Sequence, residues 1–190
     1  MDFMASIMGG TKIGAAIRRV EDLEEAVRHP GIKTIFLLGG DINYLPGLVK
    51  KITGAGKVIL VHVDLMDGIG KDRAGIRLIA RMGVSGIVTT KSSLVKHARN
   101  ESICAIQRLF IMDSESIKTA IRVAGSVMPA AVEILPATVP KYVIDEMKKA
   151  LGLPVLGGGL LRTQSDVREA LAKGMDAVSS SLRELWNISI

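Results

Sequence analysis

Eight apolar runs of four to eight residues, each followed by a helix-like stretch, recur along the 190-residue chain, and this alternation leaves few architectures open. The runs are Ile13–Ile17, Thr34–Leu38, Val58–Leu65, Gly86–Thr90, Ala105–Ile111, Ala131–Leu135, Pro154–Gly157 and Ala177–Ser180. Continuous stretches such as Val58-Ile59-Leu60-Val61 suit strands covered on both faces. Strands that alternate with helices imply βαβ units and a parallel sheet. The helical stretches are Glu21–Arg28, Tyr44–Ala55, Arg73–Met82, Ser93–Asn100, Ser114–Ala124, Val139–Leu151, Gln164–Lys173 and Leu182–Trp186. Asp41, Asp72, Ser92, Asp113, Thr138 and Thr163 stand where N-caps belong, and Pro140 falls at a first-turn position. Gly83, Gly152 and Gly174 follow apolar-periodic segments, as C′ glycines do.

Eight such units predict an α/β fold: a compact (β/α)8 barrel forming one domain over residues 1–190, with residues 1–11 as a flexible or irregular lead-in. The chain is short for this fold, which usually takes about 250 residues and seldom fewer than about 200. The rival is a doubly wound open sheet, which carries its glycine loop early and its ligand at a switch point. Here the glycines come late. Gly157-Gly158-Gly159-Leu160-Leu161-Arg162-Thr163 is followed, one helix-sized interval on, by Ala177-Val178-Ser179-Ser180-Ser181-Leu182. In a barrel these are the loops after strands seven and eight, where phosphate sites are built. Glycines let backbone N–H groups approach an anion, and a short helix opening at Ser181 would add the positive end of its dipole.

A hydrophobic fraction of 48% and a charged fraction of 23% suit one soluble domain with a large core, and no low-complexity linker divides the chain. The apolar runs are too short to span a bilayer, and Met1–Gly10 lacks the basic start and long apolar segment of a secretory signal. The single cysteine, Cys104, excludes an intramolecular disulfide, so a cytoplasmic location is expected. Cys104 itself reads as a small buried residue at the start of the fifth strand, since no histidine has a sequence reason to lie beside it.

The net charge of +6 invites a polyanionic partner, whereas an aromatic content of 3% argues against a base-stacking platform of the RRM or OB type. Basic residues gather at Lys50, Lys51 and Lys57, at Lys91, Lys96, His97 and Arg99, and at Lys141, Lys148 and Lys149. Each cluster taken alone reads first as a solvated helix face.

Side chains at the C-terminal ends of strands form the mouth of a barrel. Within Val61-His62-Val63-Asp64-Leu65 the two-residue period puts His62 and Asp64 on one face, facing inward, either as a hydrogen-bonded polar layer or as ligand contacts. The fifth strand supplies Gln107 and Arg108, the sixth Glu133, the fourth ends Thr89-Thr90-Lys91, and Arg18 closes the first. Charge inside an apolar strand is costly unless paired, so Arg108 and Glu133 are more telling than any surface lysine.

These residues are similar to a known family. Ala16-Ile17-Arg18, His62-Val63-Asp64-Leu65 with Gly68-Ile69, Ala105-Ile106-Gln107-Arg108-Leu109-Phe110 with Asp113-Ser114, Val132-Glu133-Ile134-Leu135-Pro136, Gly158-Gly159-Leu160-Leu161-Arg162-Thr163 and Val178-Ser179-Ser180-Ser181 resemble the bacterial glycerol-3-phosphate-responsive antiterminators, the glycerol uptake operon regulators. The resemblance runs from about Ala16 to Trp186 and departs mainly before Ala16. It implies a barrel that binds glycerol 3-phosphate as a regulatory ligand and then acts on the leader mRNA of glycerol-metabolism genes to prevent termination. By position, Gly158, Gly159, Ser180 and Ser181 would bind the phosphate, with Arg162 neutralising charge or capping the rim. Asp64, Gln107 and Glu133 would accept from the glycerol hydroxyls, with His62 and Arg108 orienting and Arg18 at the mouth. Lys91, Lys96 and Arg99 are the candidate RNA contacts. No cofactor, metal or catalytic residue is implied. A homo-oligomer is left open by exposed apolar helix faces and by Trp186 in the last turn.

The alternative is a phosphate-binding barrel enzyme, a lyase, isomerase or transferase, using His62, Asp64 and Glu133 as acid, base or metal ligand. Against it, no interior lysine suits a Schiff base, Lys91 being the nearest, and no metal-ligand spacing occurs. A metabolite-binding barrel without nucleic-acid contact is a third reading, because barrels host many functions.

Overall fold

The computed structural model describes residues 3–188. The chain opens with one turn of helix, α1 (Phe3–Ser6), then β1 (Ile13–Ile17), α2 (Val20–Arg28), β2 (Thr34–Leu37), the short β3 (Gly40–Asp41) and α3 (Leu45–Gly54). β4 (Val58–His62) runs into a 3-10 turn (Val63–Leu65), the short β5 (Met66–Asp67) and α4 (Arg73–Arg81). There follow β6 (Gly86–Thr89), α5 (Ser92–Asn100), β7 (Cys104–Phe110), α6 (Ser114–Val127), β8 (Ala131–Leu135), α7 (Lys141–Leu151), β9 (Val155–Gly158), α8 (Gln164–Ala172), β10 (Ala177–Ser180) and a closing 3-10 helix (Arg183–Asn187). β3 pairs with β5, and the other eight strands close a parallel barrel in the order β1-β10-β9-β8-β7-β6-β4-β2. Ala15 seals it, lying between Ser180 of β10 and Ile35 of β2.

Alternation along each strand divides the apolar residues between two cores. Ile35, Ile59, Ile87, Val132 and Val155 face the helices, whereas Phe36, Leu60, Val88, Ile106, Ala131 and Leu156 fill the barrel. Gly14 is required there, because a Cβ at that position would sit 2.4 Å from the Phe36 ring. The lead-in expected to be flexible or irregular has one helical turn at Phe3–Ser6 and irregular turns after it, and it packs against the barrel. Phe3, Ile7 and Met8 are buried against Phe36 and Leu60, and the Thr34 hydroxyl donates to the Ile7 carbonyl. The physical reason is the open lower end of a small barrel, where each large apolar side chain gains about 1.5–3 kcal/mol from full burial. Met1 and Asp2 lie outside the described residues.

The start signals hold at three helices. Asp72, Asp113 and Thr163 accept from the backbone N–H groups of Gly75, Ser116 and Asp166. Asp41, Ser92 and Thr138 do not cap: α3 starts after Tyr44, α5 after Lys91 and α7 after Pro140, which is itself the N-cap residue. Asp41 holds a turn instead, accepting from the Asn43 N–H at 2.7 Å. Gly83, Gly152 and Gly174 all take left-handed φ, as C′ glycines must. The expected long strand Val58–Leu65 breaks at His62, and the expected last helix is a 3-10 segment beginning at Arg183. No helix among the described residues is long and apolar enough to cross a membrane.

Candidate functional site

A cavity of about 100 Å³ opens at the C-terminal mouth between β1 and β7 to β10. That is below the roughly 300 Å³ of pockets for drug-sized molecules, and suits a ligand of a few heavy atoms. Arg18, Arg108, Glu133, Gly158, Gly159, Ser180 and Ser181 line it, together with Ser179 and Leu160. Gly158 is a matter of space: a Cβ there would meet Glu133 Oε1 at 2.9 Å and Ser179 Oγ at 3.1 Å. Gly159 and Leu160 both take left-handed φ, +75° and +59°, which turns the loop back over the mouth. Among the described residues, none presents an acceptor to the backbone N–H groups of Gly159, Leu160 or Ser181. Three free amides therefore stand at one cavity, where an anion satisfies them better than the protein does.

The floor of the cavity is a buried polar chain. Arg108 and Glu133 are direct partners in the β7–β8 register, and Arg108 Nε donates to Glu133 Oε2 at 2.7 Å. Ser179 Oγ donates to Glu133 Oε1 at 2.8 Å. Both carboxylate oxygens are thus occupied, which compensates the burial of a fully enclosed Glu133. His62 faces the same interior, and its Nδ1 has no hydrogen-bond partner. Burial, and next the Arg108 charge, push its imidazole down to about 4. The ordinary value is about 6.5, so between those two pH values the unfolded chain binds more protons than the folded one. His62 therefore contributes stability above pH 6.5 that is lost as the pH falls toward 4. Denaturant unfolding between pH 7 and 4 is expected to show this loss, and His62→Phe to flatten it.

Asp64 and Gln107, expected among the ligand contacts, do not line the cavity. Asp64 stands in the 3-10 turn after β4, so strand alternation does not place it with His62. Its Oδ1 accepts from the Thr89 hydroxyl, and its Oδ2 from the N–H and hydroxyl of Thr90, at 2.7–2.8 Å. Burial alone would raise the Asp64 pKa, but the bonds from Thr90 and Thr89 outweigh it and hold the carboxyl below its ordinary value. The residue staples two loops and does not line the cavity. Gln107 lies between Ile106 and Arg108, both inward, and so faces the helices, where its amide donates to the Thr90 carbonyl at 2.8 Å. Arg162 also misses the cavity: its side chain is exposed, and its N–H donates to Asp166 Oδ2 beside the α8 cap. Arg18 takes the cationic position instead. The dipole expected from a helix at Ser181 is reduced to that of a five-residue 3-10 segment starting two residues later.

The candidate RNA contacts do not form one patch. Lys91 precedes α5 at the mouth, but eight residues at about 1.5 Å each put Arg99 roughly 12 Å away, toward the opposite rim. There Arg99 donates to the Val127 carbonyl. Ser179 and Leu160 were missed by the sequence reading. The signal for Ser179 was available, since it shares the inward parity of Ala177. Cys104 opens β7 as expected, and burial pushes its thiol up to about 12, which leaves it inert as a nucleophile.

A closed parallel barrel with its open cavity beside the last two strands defines a (β/α)8 barrel protein with a small-ligand site at the C-terminal mouth. The chain belongs to the glycerol-3-phosphate responsive antiterminator family, whose profile matches residues 13–186. It is 34% identical to the uncharacterized protein YgcP of Escherichia coli over 82% of this chain and 81% of the relative. It superposes on the glycerol uptake operon antiterminator regulatory protein of Listeria monocytogenes with a TM-score of 0.88 at 29% identity, covering 94% of this chain and 96% of that one. The glycerol uptake operon antiterminator-related protein of Thermotoga maritima gives 0.84 at 29% identity, covering 94% and 99%.

Proposed function

We propose that the protein senses glycerol 3-phosphate in the mouth cavity and, when liganded, binds the leader mRNA of glycerol-metabolism genes and prevents termination. The three free amides of Gly159, Leu160 and Ser181 beside Arg18 carry this reading. A phosphate dianion accepts from all three amides while the Arg18 guanidinium balances its charge. The glycerol hydroxyls then lie over Ser179, Ser180 and the Arg108–Glu133 pair. The charged groups lining the cavity are Arg18, Arg108 and Glu133, and Glu133 is held by two partners, an arrangement suited to binding without turnover. Such a regulator works in the cytoplasm, beside nascent mRNA.

Glycerol 3-phosphate at a hundred times its Kd adds about 2.7 kcal/mol by mass action. For a chain of this size that is a rise in Tm of about 5–11 °C. Glycerol and inorganic phosphate are expected to give far less, and Gly158→Ala to abolish the response by driving a methyl group against Glu133. Conversion of glycerol 3-phosphate to a product would overturn the sensor reading. Because a ligand shifts an equilibrium only through its different affinity for two states, leader RNA must bind more tightly when glycerol 3-phosphate is present.

A further inference from the structure

A second cavity, of about 500 Å³, lies beside the first at the mouth. Its apolar wall includes Leu37 and Leu48, and Tyr44 stands at its rim with 73% of its surface exposed. Pairing of β3 with β5 builds the outer side and brings Asp67 to it. Arg18, Arg19 and Asp41 also line it, and the Asp41 carboxylate is occupied by the Asn43 N–H and side-chain amide. Arg19 is engaged by Glu21 at 3.3 Å, whereas among the described residues the side chains of Arg18 and Asp67 have no ion-pair or hydrogen-bond partner, Asp67 being held through its carbonyl, which accepts from the Ile42 N–H. Arg18 is also the one residue that lines both cavities.

We infer that this cleft receives one unstacked nucleobase of a single-stranded RNA. The inference rests on the functional reading above and gives the RNA a place to bind. Each part of the cleft answers a part of a nucleotide. The exposed phenol ring offers a stacking face, which needs no sequence of its own. The free Asp67 carboxylate accepts from an exocyclic amino group, present on adenine, cytosine and guanine and missing from uracil. The free Arg18 guanidinium, with Arg19 next to it, meets the backbone phosphate. A single aromatic slot also fits the low aromatic content, which is too small for a multi-base platform. A lipid or an apolar peptide would leave the free arginine and the free carboxylate without partners, so the charges favour a nucleotide.

The shared arginine supplies the regulation. Standing between the two cavities, the Arg18 guanidinium has donors enough to serve both anions, and glycerol 3-phosphate at the mouth fixes a side chain that is otherwise unheld. Fixing Arg18 removes part of the ordering cost that RNA would otherwise bear, which is positive coupling.

The test uses the full chain with labelled twelve-nucleotide probes of A, C or U, read by fluorescence anisotropy at low salt with and without glycerol 3-phosphate. The A and C probes are expected to bind more tightly than U, and Asp67→Asn to erase that preference. Tyr44→Ala is expected to weaken the A probe by about tenfold to a hundredfold. Tyr44→Phe, which keeps the ring, and Tyr142→Ala, which removes an exposed tyrosine on α7, are expected to stay near wild type. Arg18→Ala is expected to abolish the effect of glycerol 3-phosphate on RNA affinity. Calorimetry with glycerol 3-phosphate alone separates the two readings, since Tyr44→Ala leaves that affinity unchanged if the cleft is distinct. If the wild type binds RNA and Tyr44→Ala binds it equally well, the cleft assignment is wrong and the sensor reading stands. If the wild type binds leader RNA but none of these probes, the cleft assignment is wrong and the sensor reading stands; if it binds neither, both fall.

Discussion

Glu133→Ala is expected to destabilise the protein by about 3–5 kcal/mol, because it leaves the buried Arg108 guanidinium without its counter-charge. For a chain of this length that is a fall in Tm of about 6–20 °C. The loss has two sources. Arg108 keeps 7% of its surface exposed and cannot deprotonate, so it cannot escape the penalty by neutralising itself. Ser179 Oγ also loses the acceptor that now fixes it at 2.8 Å. The double variant Arg108→Met, Glu133→Leu tests the cause. Replacing both partners with apolar groups of similar size is often neutral or better, so the double variant is expected to recover most of the loss. It is also expected to lose glycerol 3-phosphate binding, since the polar floor has gone. Urea unfolding of the wild type, Arg108→Met, Glu133→Leu and the double completes the cycle; a double variant as unstable as Glu133→Leu would assign the loss to packing instead of charge.

The second large effect is expected at Trp186. The indole is buried, and its Nε1–H donates to the Ser180 carbonyl at 2.9 Å, which ties the closing 3-10 helix to the end of β10. Its edge also meets the His29 ring, with centroids 6.3 Å apart. Trp186→Ala is expected to cost about 3–5 kcal/mol through lost packing and the cavity left behind. Trp186→Phe keeps most of the apolar volume and removes one hydrogen bond from a carbonyl still held in the β1–β10 ladder, at an expected cost of about 0.5–1.5 kcal/mol. The two variants should differ functionally less than they differ in stability. Both untie the closing 3-10 helix from the Ser180 carbonyl, so both are expected to weaken glycerol 3-phosphate binding. Retained wild-type affinity in Trp186→Phe would show that β10 keeps its place without the bond.

The barrel was legible because its strands are covered on both faces and read as continuous apolar runs between helices. The site was legible in part, and the errors share a cause. Parity along a strand decides whether a side chain meets ligand or helix, and closure of the barrel sets that parity. Arg108 and Glu133 lie opposite each other in register and point inward, whereas Gln107, one residue earlier, points out. Asp64 was misplaced for a related reason: Val58–Leu65 is apolar enough for one long strand, but Asp64 finds its partners in Thr89 and Thr90 of the next unit, and the chain turns to reach them. Such contacts, 25 and 26 residues apart, leave no local pattern. The segment before Thr11 gave no periodic signal because its role is to fill a hole in a structure formed by everything after it.

That filling gives the two rims of the barrel different tolerances. At the sealed rim, Phe3, Ile7 and Met8 interlock with Phe36 and Leu60, and what matters is volume to within a methyl group. At the opposite rim what matters is charge and hydrogen-bond direction. A library varied at the first rim should thus preserve hydrophobic bulk and trade shapes among neighbours, while one varied at the second should accept changes of size but not of polarity. Ligand preference can then be altered at the upper loops without disturbing the stopper that keeps the lower end dry.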